Sequence, residues 1–165
     1  YANTDPSHWD TSLKYDSQPY TFPDGADWIW ETYRTDEPAT NAPVIGRVVR
    51  FERTFTIPCS PTRAELYITV DNGYTVWING NLVGCAQVNS GGADPCIGWE
   101  TSDLTEPYVD THDWMTVEHY NIPASYLVAG TNTLVILAAN EQMSGGTADY
   151  NPAGLIYWLK VEWGS

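Results

Sequence analysis

The chain has 165 residues and a formal net charge of −14, with 7 Lys plus Arg against 21 Asp plus Glu. Such a surface repels phosphate backbones and anionic lipid, which excludes nucleic acid as a partner. No run of eighteen apolar residues offers a membrane span, and the length suits one domain with a real core.

Residues 1–45 are rich in Pro, Asp, Ser, Thr and aromatics, without lasting periodicity. The opening "YANTDP" reads as an end left by processing or trimming. The stretch "PYTFPDGADWIWETY" (19–33) holds one short apolar cluster. We read residues 1–45 as an extended N-terminal arm or a first strand, anchored by its Trp and Tyr on its own sandwich or on a neighbour's, and residues 46–165 as the folded domain.

From Gly46 the pattern has period two. "RVVRFERTFTIP" sets Val49, Phe51, Phe55 and Ile57 on one face, and Arg50, Glu52, Thr54 and Thr56 on the other. That is a strand with one buried face, ended by Pro58. "RAELYITVD" repeats the pattern with Ala64, Leu66, Ile68 and Val70. "DNGYTVWINGNLVG" (71–84) then joins two apolar-rich runs through Asn79-Gly80. Both central residues of a type I′ turn need positive φ, which Asn and Gly tolerate, so this pair predicts a hairpin corner.

Residues 85–114 form a long excursion rich in Gly, Pro, Asp and Thr, and loops of this length are usually functional or stapled. "MTVEHYNIP" (115–123) predicts a strand, and "PASYLVAGTN" (123–132) one helical turn closed by Gly130. "NTLVILAANE" (132–141) predicts a buried strand. A second long loop, "QMSGGTADYNPA", leads to "GLIYWLKVEW" (154–163), which sets Leu155, Tyr157, Leu159, Val161 and Trp163 on one face. About seven strands with almost no helix predict an all-β fold, a jelly-roll-type antiparallel β-sandwich with an N-terminal extended arm.

The order "VVRFERTFTIP", "AELYITVDNGYTVWINGNLVG", "YNIPASYLVAGTNTLVILAAN", "GLIYWLKVEW" resembles the galactose-binding-like jelly roll, a non-catalytic module of glycoside hydrolases and prokaryotic surface proteins. The resemblance covers about Gly46 to Trp163, with the 85–114 loop as an insertion. It implies a fold more than a function, because one fold hosts many functions.

Catalytic chemistry finds little footing. His8, His112 and His119 stand in no G-x-S-x-G or H-E-x-x-H motif. Asp103, Glu106, Asp110 and Asp113 share one loop, where acidic residues are usually just solvated. The chain is therefore expected to be no enzyme. Zinc lacks paired Cys and His spacings. A structural calcium has oxygen ligands on offer in Asp24, Asp27, Asp94 and Asp103, without a D-x-D-x-D-G loop, so metal ligands stay unassigned.

Cys85 and Cys96 bracket a Gly-rich loop and are expected to form a disulfide, worth about 3 kcal/mol in the chain-entropy model. Cys59 is left over. Trp28 and Trp30 in the arm, with Trp99, Tyr108 and Trp114 in the insertion, are candidate aromatics for a ligand or an interface. They could stack on sugar rings, anchor a neighbouring subunit, or simply lie buried.

Two functions follow. The first is a secreted structural subunit of a filament, sheath or coat, self-associating as a homo-oligomer or polymer through the arm. Removing residues 1–22 is then expected to leave a folded monomer. The alternative is a carbohydrate-binding module of a larger glycoside hydrolase or surface protein. The lack of a Ser/Thr/Pro-rich linker at the C-terminus tips the reading to the first. Both place the protein outside the cell.

Overall fold

The computed structural model of the chain describes residues 13–29, 47–71, 73–86, 115–140 and 154–164. Within them lie nine strands: β1 (Lys14–Tyr15), β2 (Gln18–Pro19), β3 (Arg47–Ile57), β4 (Pro61–Asp71), β5 (Gly73–Ile78), β6 (Asn81–Ala86), β7 (Glu118–Ile122), β8 (Gly130–Asn140) and β9 (Gly154–Trp163). A four-stranded sheet runs β3-β8-β5-β6 and a three-stranded sheet runs β7-β4-β9. All their pairs are antiparallel. The expected all-β sandwich is present.

The alternation read from the sequence sets the core. Ala64, Leu66, Ile68 and Val70 of β4 are buried against Tyr74, Val76 and Ile78 of β5 and Leu134, Ile136 and Ala138 of β8, all in one cluster. β3 pairs with β8 without interruption from Arg47–Asn140 to Ile57–Gly130, turning Val49 and Ile57 into the core and leaving Arg50, Glu52, Thr54 and Thr56 exposed. Pro58, without an N–H, follows the last residue of β3.

The Asn79-Gly80 corner forms as expected. Asn79 has φ 50° and Gly80 φ 78°, and Ile78 pairs with Asn81 across the turn. The turn before β8 is a single 3-10 turn, Ala124–Tyr126, and Gly130, at φ +103°, opens β8 in a conformation that suits glycine.

The described part of the arm, residues 13–29, packs on its own sandwich as a third layer on the outer face of the β7-β4-β9 sheet. Leu13, Phe22 and Trp28 form a buried cluster with Val117 and Ile156, and Tyr15, Tyr20, Tyr67 and Trp158 pack around it. The physical reason lies in β4. Its outward side chains include Tyr67 and the fully buried Thr69, a face that needs cover. Lys14 N donates to Met115 O (2.7 Å) and Val117 N to Lys14 O (2.8 Å), which fixes the arm beside β7. Trp28 lies on Gly154, where a Cβ would come 2.8 Å from its ring, so glycine there makes room for the indole. The hairpin β1–β2 turns through Asp16 and Ser17, both at positive φ (49° and 64°).

Candidate functional site

The two lateral edges of the sandwich differ. On one side, β6 and β7 are joined by a phenol network. Tyr74 and Tyr120 share a hydroxyl–hydroxyl hydrogen bond (2.8 Å), with the Cys85 carbonyl 3.3 Å from the Tyr120 hydroxyl and Glu118 Oε2 3.4 Å from that of Tyr74, so two protons serve three contacts. The Tyr120 ring lies against Gly84, where a Cβ would come within 2.2 Å. Burial first, then the Glu118 carboxylate and the neighbouring phenol, raises Tyr74 well above the usual phenol range. It remains a neutral hydrogen-bond donor, which suits a structural closure.

On the other side, β3 and β9 are both sheet edges, and the seam between them opens into a cleft of about 410 Å³. Phe55 of β3 and Tyr157 and Leu159 of β9, all half-buried, line it, with Trp163 at 49% exposure. Asp24 from the arm and Arg53 from β3 supply opposite charges. Between Val49 and Ile57 the odd-numbered positions of β3 carry Val49, Phe51, Phe55 and Ile57, interrupted by Arg53. It is a charge on the apolar face, tolerated because β3 is an edge and the cleft opens there. A smaller hollow of about 250 Å³ adjoins it, lined by Ile29, Phe51, Arg53 and Tyr157 among others.

A third cluster covers the outer face of β4. The rings of Tyr67 and His119 stack at 4.3 Å, Tyr67 and Trp158 at 5.5 Å, and Tyr20 and Tyr67 at 5.6 Å. His119 Nδ1 is 3.3 Å from the Tyr15 hydroxyl. Its Nε2 lies 3.3 Å from Glu65 Oε1 but outside hydrogen-bond geometry. Burial, with lesser contributions from the Tyr67 and Tyr15 phenols, pushes Tyr20 up to about 12. This is a packed aromatic layer that fastens the arm.

The structure places the expected site residues unevenly. Trp28, read as a ligand or interface ring, is instead buried within its own chain at 9% exposure, because the outer sheet face needs its bulk. Trp30, Trp99, Tyr108 and Trp114 lie outside the described residues, as do Asp94 and Asp103. Asp24 and Asp27 are exposed, and among the described residues no group of three His, Cys, Asp or Glu could hold a metal. Cys85 is disulfide-bonded and Cys59 is a free thiol, while Cys96 lies outside the described residues. The sequence reading passed over Arg53. Its signal was present as the single break in an otherwise apolar series.

No family model matches the chain. It is 28% identical over 164 residues to an alpha-L-rhamnosidase of Streptomyces avermitilis, covering 92% of this chain and 13% of that protein. The crystal structure of the Streptomyces avermitilis alpha-L-rhamnosidase complexed with L-rhamnose matches 83% of the chain and 10% of its own length, at 26% identity and a TM-score of 0.51. The alpha-L-rhamnosidase from Dictyoglumus thermophilum matches 84% of the chain and 14% of its own length, with a TM-score of 0.52. At 19% identity, that likeness concerns the fold alone. The fold is that of a β-sandwich module found in glycoside hydrolases. The chain spans about an eighth of the length of the curated relative it matches.

Proposed function

We propose that this chain is a non-catalytic sugar-binding module of a larger, secreted glycoside hydrolase that acts on rhamnose-containing glycans. The observation that carries the reading is its 28% identity to a stretch that makes up only 13% of an alpha-L-rhamnosidase. A unit that small leaves ample chain elsewhere for the chemistry, which suits a supporting role. The disulfide at Cys85 fits an oxidising compartment. The rival reading, a self-assembling coat subunit, drew part of its strength from an arm whose aromatics could pack on a neighbour. That part is lost where the arm buries Phe22 and Trp28 on its own sandwich.

Calorimetric titration of the purified chain with L-rhamnose and with a chromogenic α-L-rhamnoside tests this. Saturable binding without release of the chromophore is the expected result. Release would make the chain catalytic. Absence of binding to either would remove the sugar from the proposal.

A further inference from the structure

We propose that the cleft between β3 and β9 is a binding site for a neutral saccharide of one or two rings, held between Arg53 and Asp24 over the exposed edge of β9. The inference rests on the sugar-binding reading above and gives it a place.

The cleft exists because the arm stops pairing with β9. Ile29 N donates to Leu155 O (2.8 Å) and Leu155 N donates to Ile29 O (3.0 Å), a full antiparallel pair on the free edge of β9. Continued in register, residue 27 would face Tyr157 and residue 25 would face Leu159. The pairing does not continue. Ala26 N bonds instead to Pro23 O (3.1 Å), and Gly25 takes φ +90°. The chain turns, and residues 23–26 stand off from β9 as one wall of the cleft.

This leaves backbone groups without a strand. In an antiparallel ladder, alternate residues direct both N–H and C=O to the same side. Leu155 directs its pair away from β4, toward Ile29. Tyr157 and Leu159 follow at even spacing in the same unbroken register with β4, so theirs also point into the seam. Among the described residues they have no strand partner. A ligand in the cleft meets fixed donors and acceptors as well as an apolar floor of Phe55, Tyr157 and Leu159.

The charges select the ligand. Asp24 and Arg53 both line the cleft, yet neither has an ion pair among the described residues, including with each other. A guanidinium only donates and a carboxylate only accepts. A group that can bridge them must do both, as a sugar hydroxyl does. An anion would face Asp24 and a net charge of −14, and a cation would face Arg53. The volume of about 410 Å³ falls in the range of small-ligand pockets. Trp163, half-exposed among the lining residues, is an aromatic surface on which the apolar side of a pyranose can stack.

The alternative for Arg53 is a guard. Inward-pointing charges on edge strands block pairing with other chains. One set of measurements separates the two. The purified chain and its Arg53→Gln, Asp24→Asn and Trp163→Ala variants would be titrated with methyl glycosides of neutral hexoses, 6-deoxyhexoses and pentoses. Amide shifts would be followed by NMR and oligomeric state by light scattering, with Leu82→Ser at the distant β5–β6 corner as the control. The proposal expects shifts at Tyr157 and Leu159, and at least tenfold weaker binding in Arg53→Gln and Trp163→Ala. Asp24→Asn, the mildest change, should reproduce the direction, and Leu82→Ser should bind as the parent does. Binding that all three cleft variants retain would move the sugar elsewhere on the chain and overturn the cleft while sparing the module reading. Self-association of Arg53→Gln with unchanged affinity would make Arg53 an edge guard and also overturn it. No binding of any glycoside would remove both readings.

Discussion

Asn79 Nδ2 donates to Asn132 Oδ1 at 2.8 Å, so the corner between β5 and β6 is held by the start of strand β8. The contact is one of several. Asn132, fully buried, also accepts from Val128 N (2.9 Å) and donates to Val128 O (2.8 Å) and Gly130 O (3.0 Å). Asn79 donates to Tyr126 O (2.9 Å), and its Oδ1 accepts from Thr133 N (2.9 Å). The Asn-Gly pair is therefore a corner, and its asparagine is also the clamp for a second turn 47 residues away.

Replacing Asn132 with Ala should lower stability by about 3 kcal/mol, since a fully buried amide and its bonds to Val128, Gly130 and Asn79 are lost together. Asn79→Gly keeps the turn geometry but loses the clamp, and should cost less, about 1 kcal/mol. Urea denaturation of the two variants checks the order.

The sequence read the sandwich well where one rule governed each residue. The odd and even faces of β3, the inward face of β4 and the Asn79-Gly80 turn all came out of period two and turn chemistry. It left open where the arm packs, because the burial of β4 on both faces is not legible in its composition. Glu65, Tyr67 and Thr69 look like a solvent face by composition, yet Glu65 is 8% exposed and Thr69 fully buried. The β1–β2 hairpin was invisible because Asp16-Ser17 adopts positive φ without a glycine. Arg53 was passed over because a single charge in an apolar series looks like noise until the strand is known to be an edge.

Removing residues 1–22 should destabilise the chain, where the extended-arm reading expected a folded monomer. The deletion takes Leu13 and Phe22 off Val117 and Ile156, and each large apolar side chain contributes about 1.5–3 kcal/mol when buried. A gentler probe is Gly154→Ala, which forces Trp28 to shift and should cost about 1–3 kcal/mol. Tryptophan emission should move to longer wavelength in both if the arm lifts. Unchanged emission and stability would mean the arm does not need this face.

Stability should fall between about pH 10 and 12. Tyr20 is raised from 10.0 to about 12, first by burial and then by its phenol neighbours, and Tyr74 is raised in the same direction, first by burial. A raised phenol stays protonated in the fold after its unfolded counterpart has lost its proton. The folded state then binds more protons, so stability declines with rising pH. The contribution is complete below pH 10 and is lost as the folded groups titrate. Denaturation midpoints measured from pH 8 to 12 should trace this fall, and Tyr20→Phe should make it shallower.

The sugar-binding role is the claim on which the rest depends. Incubating the purified chain with an array of neutral glycans, while assaying the same glycans for bond cleavage, probes it without assuming a ligand. Retention on a defined subset, competed by the free sugar and unaccompanied by cleavage, is the expected outcome. No retention on any glycan, at a protein concentration well above the millimolar affinities common for single sugars, would leave the chain a fold shared with glycoside hydrolases and without their ligand.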